Sequence, residues 1–238
     1  MLSILLKRQA KAKRAQDEKV KTENVTIAPA GSIVNKTRLA LLDKPWDETQ
    51  SMLKQDLSRL RTLAGSQEKE PYKKELVKKY RPLVIKLESS HDNLDGLDVV
   101  WWFYQWQVDI GLLPLVHGRL KDAVFKGLET PHNWKANGQT TFCDIVFKYS
   151  HNAYANKADF CREYLIDAVQ GLLEGKLATN APLKVKMFRL VGDWYFDDGE
   201  NEKAYHLFDL VMKLDPKKGG RKTKLNDLKE ELGYGDPH

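Results

Sequence analysis

The sequence is poor in cysteine and has no long apolar run. Its two cysteines, Cys143 and Cys161, lie too far apart for a CxxC metal or redox motif, and a reduced intracellular protein is the simplest interpretation. A short apolar run at residues 2–6 precedes basic residues, which reverses the order found in a signal peptide. No run approaches the length of a transmembrane helix. We therefore expect a soluble protein without a membrane partner.

Strand-like alternation of apolar and polar residues is also missing. Apolar residues recur instead at helical spacing through most of the chain after residue 45. At 238 residues the chain can bury a sizeable core. The sequence therefore predicts an all-α fold: a multi-helix domain with a central aromatic-rich helix, a charged helical hairpin and a C-terminal tetratricopeptide-like hairpin.

The central helix is predicted at Asp98–Gly111, a stretch that is apolar on nearly every side. One face carries Val99, Trp102, Phe103, Trp106 and Ile110, and the other carries Val100, Tyr104 and Val108. A helix that is hydrophobic all round normally lies in the middle of a domain. An aromatic ligand site is the alternative interpretation of the same cluster.

Residues 46–90 have the pattern of a charged helical hairpin. Two narrow apolar seams follow one another: Leu53, Leu57, Leu60 and Ala64, then Leu76, Tyr80, Leu83 and Leu87. We expect the first helix to run from Trp46 to Ala64, Pro71 to open the second, and Pro82 to kink or break it. So thin a seam needs a partner, and the hairpin is therefore a candidate for contact with the rest of the protein or with a second subunit.

Capping signals suggest helix boundaries within residues 91–180, the predicted central core. Asp95 or Asp98 can cap the central helix. Thr141 and Asp144 have the spacing of a capping box, which places the start of a later helix directly after Thr141.

Residues 181–238 contain a match to one tetratricopeptide unit, followed by a basic cap. Its characteristic aromatic, small and proline positions are occupied by Phe188, Gly192, Tyr195, Ala204, Phe208 and Pro216. Small residues at such positions let two helices approach closely. One repeat is too few for a free-standing array, so we expect it to stack on the preceding helices. The final cap is expected at Leu225, Leu228 and Leu232.

Positive charge is concentrated in three clusters, and the net charge is +6. The first lies in residues 1–45, which we expect to form a loosely held arm and linker; the others lie at residues 69–81 and 217–224. Basic clusters of this kind can neutralise DNA phosphates. The candidate DNA-binding residues are in the arm: Lys7, Arg8, Lys11, Lys13, Arg14, Lys36 and Arg38. A solvated tail is the alternative for the first cluster, and a solvated helix face is favoured for the second.

No stretch has a strong catalytic signature. GGRKT at residues 219–223 has Arg221 where a phosphate-binding loop needs lysine, and no strand is predicted before it. Burial on an apolar helix face explains Cys143 better than a nucleophilic pair with His132 or His151. Caps and turns explain two acidic groups better than a metal centre does: His91, Asp92, Asp95 and Asp98, then Asp193, Asp197 and Asp198. We expect no catalytic residue, no metal and no cofactor.

Four stretches, taken in order, resemble the small terminase subunit of tailed phages, of the gene-product-M type found in P-two-like temperate phages. They are YRPLVIKL at residues 80–87, DVVWWFYQWQVDIGLL at 98–113, TPHNW at 130–134 and LVGDWYFDDGENEKAYHLFDLVMKLD at 190–215. The similarity covers residues 70–216 and is weak before Trp46. These stretches are packing motifs rather than catalytic ones.

The resemblance implies a role in genome packaging in the host cytoplasm. A small terminase subunit binds double-stranded phage DNA, typically as a ring-shaped homo-oligomer, and hands it to a large subunit with ATPase and nuclease activity. This family is often labelled the endonuclease subunit, although no nuclease motif stands here at a matching position. Three hypotheses stay open: a DNA-recognition and assembly subunit, an endonuclease that uses Asp92, Asp95 and Asp98, and a helical scaffold that binds protein partners rather than DNA.

Overall fold

The computed structural model describes residues 41–42 and 44–234, and the predictions for residues 1–40 lie outside this part. Within it every regular element is a helix and no strand is present, so the all-α prediction is confirmed. The helices are α1 (Trp46–Thr62), α2 (Gly65–Ser90), α3 (Asp98–Asp109), α4 (Leu113–Phe125), α5 (Gly138–Ala155), α6 (Glu163–Leu173), α7 (Ala181–Asp197), α8 (Asn201–Leu214) and α9 (Lys222–Glu231). None of these described helices is both long enough and apolar enough to cross a membrane.

Each helix packs mainly on the next one along the chain, and α5 also contacts α7. One hydrophobic core runs through this stack and takes residues from Leu41 to Val211. A smaller core of Ala204, Phe208 and Leu228 fixes α9 to α8. The proposed division into segments 46–90, 91–180 and 181–238 stays a prediction.

Helix α3 is buried on most of its circumference. Trp101, Phe103, Tyr104 and Trp106 are each 2% exposed or less. Gln107 is buried among them because its side-chain N–H donates to the Phe103 carbonyl at 3.1 Å, which satisfies the amide within the helix. The tryptophans are in contact with protein side chains.

Aromatic neighbours occupy the space around the α3 tryptophans. Trp134 meets Trp101 edge-on with ring centroids 5.8 Å apart, and it meets Trp102 edge-on at 5.7 Å. Trp106 lies against Tyr80 of α2 at 5.7 Å. These distances are those of packed aromatic pairs. The cluster therefore joins α2, α3 and the loop before α5 in the core.

The N-terminal end of α3 differs from the capping prediction. Leu97, and neither Asp95 nor Asp98, precedes the first helical residue, and no side chain caps this end; Asp98 is instead the first residue of the helix. At the other end Gly111 has φ +79°, and the N–H groups of Gly111 and Leu112 donate to Val108 and Gln107. This pair of bonds is a Schellman ending, which favours glycine because of its positive φ.

Two other predicted boundaries are wrong. Helix α2 begins at Gly65, six residues before Pro71, and it continues through Pro82 without a break. Buried side chains on both sides of Pro82, Tyr80 and Leu83 among them, hold the helix in place in spite of the missing N–H. Helix α5 begins at Gly138 because the Asn137 side chain accepts from the Thr140 N–H at 2.9 Å.

Helices α7 and α8 approach each other closely at Gly192. A Cβ added there would lie 2.7 Å from Cε1 of Phe208 and 3.4 Å from Cβ of Leu207, so a larger residue would require the buried Phe208 ring to move. Asn180 caps α7 by accepting from the Leu183 N–H at 3.0 Å. The two helices contact each other more extensively than any other described pair.

Candidate nucleic-acid interface

The predicted DNA-binding residues are not among those that the structure describes. Lys7, Arg8, Lys11, Lys13, Arg14, Lys36 and Arg38 all fall within residues 1–40. The other two basic clusters lie on described helices, and the structure shows which of their side chains are already paired.

Asp56 of α1 holds the hairpin together and uses one base of the second cluster. Its carboxylate accepts hydrogen bonds from the hydroxyls of Tyr72 (2.9 Å) and Tyr80 (2.7 Å) and from Nζ of Lys79 (2.6 Å). We call these four residues the Asp56 anchor. The Arg59 guanidinium lies 4.7 Å from the Tyr72 ring centroid and adds a cation–π contact. The anchor therefore joins α1 to α2.

Burial and the adjacent Asp56 carboxylate both disfavour ionisation of the two tyrosines. They raise the pKa of Tyr72 to about 12 and raise the pKa of Tyr80 further. Burial is the larger cause in each case, followed by the hydrogen bond to Asp56, which favours the protonated phenol. Both hydroxyls therefore stay donors at neutral pH.

Apart from Lys69, what remains of the second cluster is one exposed face of α2. Lys73 pairs with Asp109 at 2.7 Å and Lys79 belongs to the anchor. Lys74, Lys78 and Arg81, which we call the α2 basic face, are exposed, lie on one side of the helix and have no ion-pair partner among residues 44–234. Glu70 precedes Lys74 by one turn, and Glu75 precedes Lys78 by one turn. The mixed signs are typical of a solvated helix face.

Asp193 of α7 pairs with two bases of the third cluster. Nε of Arg221 donates to one carboxylate oxygen at 2.8 Å and Nη2 donates to the other, while Nζ of Lys224 lies 3.2 Å away. We call these three residues the Asp193 anchor. The bidentate geometry is a strong form of the arginine–carboxylate pair. The prediction that Asp193 serves a turn is wrong, because it lies inside α7 and binds α9.

Three other bases of this region line a cleft at the start of α7. Lys186 and Arg189 are one turn apart on α7, and Lys218 comes from the loop that follows α8. Together with the apolar side chains of Pro182 and Leu214 they line a cavity of about 260 Å³. We call it the basic cleft.

The loop that carries Lys218 is fixed by its own hydrogen bonds. Asp215 Oδ1 accepts from the Lys218 N–H, and the Asp215 carbonyl accepts from the Gly219 N–H, both at 2.9 Å. A Cβ at Gly219 would lie 2.7 Å from the Asp215 carbonyl oxygen, so the turn requires glycine. Arg221 donates to the Gly220 carbonyl at 2.7 Å. The basic side chains therefore project from a rigid backbone.

Lys186 and Arg189 lie outside the three basic clusters that the sequence predicts. Their spacing of three residues within a helical pattern is a signal that they share a face. That this face lies next to residue 218 could not be found from the sequence, because helix α8 lies between the two segments along the chain.

The structure also shows where the acidic and nucleophilic candidates lie. Among the residues described, no group of three or more His, Cys, Asp or Glu side chains converges to hold a metal ion. Asp92, Asp95 and Asp98 therefore do not meet as metal ligands. Cys143 is fully buried, and burial raises the pKa of its thiol to about 12, which disfavours the reactive thiolate.

A mostly apolar groove lies between α6, α7 and α8. It has a volume of about 490 Å³, and the residues that line it include Ile166, Leu173, Tyr195, His206 and Leu207. Leu173 is 37% exposed at its edge. A groove of this size and composition can accept side chains of another protein.

A model of the phage small terminase subunit family matches residues 50–181, which is more than half of the chain. The matched range runs from α1 to the start of α7 and includes the Asp56 anchor and the aromatic core around α3. No curated protein and no solved structure matches the chain.

Proposed function

The chain belongs to the phage small terminase subunit family, and from that premise we propose that it binds phage DNA as an oligomer and presents it to the large terminase subunit. Membership of the family implies a role in phage DNA packaging. The family match is the observation that carries the proposal.

The charge distribution supports the DNA-binding part. The net charge is +6, and residues 1–21 hold seven Lys or Arg against two acidic residues. We propose that Lys7, Arg8, Lys11, Lys13 and Arg14 contact phosphates, with Lys36 and Arg38 in support. Each such contact releases condensed counterions, so binding should weaken steeply with salt.

We further propose that the chain is of the gene-product-M type. The support is the order of the four stretches at residues 80–87, 98–113, 130–134 and 190–215, which that type shares. The last stretch spans the C-terminal part of α7 and all of α8, and the close approach of the two helices at Gly192 agrees with a tetratricopeptide-like hairpin.

The two protein-binding roles are assigned to different surfaces. We propose that helices α1 and α2 provide subunit contacts, and the exposed side chains of Trp46 and Ile85 (37% and 48%) support this. We propose that the groove between α6, α7 and α8 receives the large subunit. Assembly of this kind would take place in the host cytoplasm.

The test uses the purified full chain with DNA from the phage packaging region. Light scattering gives its mass, and gel retardation with and without Mg²⁺ gives binding and cleavage. A discrete oligomer that retards intact DNA in a salt-sensitive manner is the expected result. Cleavage that requires the metal would support the endonuclease hypothesis instead. A monomer that does not bind DNA would favour the scaffold hypothesis.

A further inference from the structure

Only some of the basic side chains in the third cluster form ion pairs within the described part of the chain. Residues 216–224 hold five basic and no acidic residues. Two of the five, Arg221 and Lys224, pair with Asp193. Lys217, Lys218 and Lys222 are exposed and have no ion-pair partner within the described part of the chain. On the neighbouring face of α7, Lys186 is exposed and Arg189 is half-buried, and neither has an ion-pair partner in that part of the chain.

This uncompensated charge is concentrated rather than spread. Lys186, Arg189 and Lys218 line one cleft, and Nη1 of Arg189 lies 3.9 Å from the Cβ position of Gly220. The only acidic side chain lining that described cleft is Asp215, and one of its oxygens already accepts the Lys218 N–H. Adjacent like charges repel each other, so an arrangement of this kind is favourable when an anion lies between them.

The rigidity of the loop at residues 215–221 also favours anion binding. Gly219 is buried, Gly220 adopts φ +71°, and Arg221 ties the loop to Asp193. Because the backbone is already ordered, binding an anion would cost little loop entropy. Helix α9 begins two residues after Gly220, and the positive end of its dipole adds to the local potential.

We infer that the basic cleft is a second contact for the phosphate backbone of duplex DNA, made by Lys186, Arg189 and Lys218, with Lys217 and Lys222 beside it. This inference rests on the proposed function, since it assigns a further DNA contact to a chain proposed to bind DNA. Lysine and arginine side chains contact phosphates without reading sequence, so this surface would position DNA and not select a site.

The experiment compares two triple variants of the full chain on a blunt-ended, mixed-sequence DNA duplex. K186Q/R189Q/K218Q removes the cleft charges, and K74Q/K78Q/R81Q removes three charges from the α2 basic face as a matched control. Each lost phosphate contact reduces the magnitude of the negative slope of log affinity against log salt by about 0.9, so the slope of the cleft variant should be smaller in magnitude by about 2.7. Between about 50 and about 200 mM salt its affinity should then fall about 40-fold less than that of the wild type.

The possible outcomes distinguish failure of this inference from failure of the proposed function. A wild-type slope in the cleft variant, or an equal loss in both variants, would overturn the inference while leaving DNA binding by the chain intact. A wild-type chain that does not retard the duplex or packaging-region DNA would overturn the proposed function and the inference with it. If the wild type retards only packaging-region DNA, the slopes are measured on that DNA, with the same criteria.

A measurement on the unmodified chain guards against a misfolded variant. Lysines are acetylated with and without DNA, and the modified positions are identified by mass spectrometry. Protection of Lys186 and Lys218 that exceeds that of Lys74 and Lys78 is expected. Equal labelling of Lys186 and Lys218 with and without DNA would contradict the inference.

Discussion

Two aspartates each join a pair of helices beside a basic cluster, Asp56 between α1 and α2 and Asp193 between α7 and α9. The Asp56 anchor uses two tyrosine hydroxyls and one lysine, and the Asp193 anchor uses an arginine and a lysine. Both carboxylates are largely buried, with 14% and 17% of the side chain exposed. They differ in the fully buried Tyr80, which has no counterpart in the Asp193 anchor.

The bases left over beside the two anchors differ as well. Beside Asp56 they lie along one helix with acidic residues between them. Beside Asp193 they come from two separate segments and surround a cleft. The three bases on α2 therefore form a solvated face, whereas the three that line the cleft produce a concentrated positive potential. Four predictions test this comparison.

The largest effect is expected for Asp56→Ala. It leaves the buried Tyr80 hydroxyl without its acceptor and removes the partner of Lys79, so we expect a loss of about 3 kcal/mol in the free energy of unfolding. Urea denaturation measures it, with Asp47→Ala on the exposed side of α1 as the control. A loss no larger than that of the control would show that the anchor does not hold the hairpin.

Asp193→Ala should cost less, about 2 kcal/mol, because its partners are half-exposed and can be solvated when released. The loop at residues 215–221 should also become more accessible to limited proteolysis. Asp198→Ala is the matched control, since Asp198 pairs with Arg162 at 3.0 Å on the surface and should cost less than about 1 kcal/mol. Equal losses of unfolding free energy in the two variants would contradict the prediction that the buried carboxylate contributes more than the exposed one.

The two anchors should respond differently to alkali. Tyr72→Phe should cost about 1 kcal/mol at pH 8. The folded-state pKa of Tyr72 is raised to about 12 from 10.0, so the contribution of its protonated hydroxyl is complete below pH 10 and is lost as the pH rises towards 12. The difference between wild type and Tyr72→Phe should therefore shrink at pH 11.

Arginine stays protonated over the same range, so most of the Asp193→Ala difference should persist at pH 11. Urea denaturation at the two pH values measures both differences. Parallel decline of the two would mean that alkali weakens the whole fold rather than the Asp56 anchor.

The smallest effect is expected for K74Q/K78Q/R81Q. These side chains are exposed and without described ion-pair partners, and glutamine has a similar helix propensity, so the free energy of unfolding should change by less than about 0.5 kcal/mol. Thermal denaturation of the isolated chain at low protein concentration measures it. A loss above about 1 kcal/mol would show that the α2 basic face is not simply solvated.

The regular spacing of apolar residues was enough to predict the helical class and the approximate positions of several helices. The seam with Tyr80 and Leu83 predicted the later part of α2. Helix starts were predicted less well. Pro71 is compatible with a first turn, but α2 begins earlier, at Gly65. Helix α5 is capped by Asn137 and does not begin at the pair Thr141 and Asp144.

The basic clusters illustrate the same limit at the level of the site. The number of bases at residues 217–224 can be read from the sequence. Their pairing cannot, because Asp193, which pairs with Arg221 and Lys224, lies about thirty residues earlier. It also could not bring Lys186 and Arg189 next to Lys218. Those relations depend on how α7, α8 and α9 pack.

The sequence by itself determined the all-helical class, the apolar stretch that becomes α3, and the excess of positive charge, because helical periodicity and composition are local properties of the chain. The tertiary structure alone decided which charges are paired, which aspartates join helices, and where free bases gather around a cleft. Ion pairs and clefts form between segments that are distant in sequence, and their partners are set by the packing of whole helices rather than by neighbouring residues.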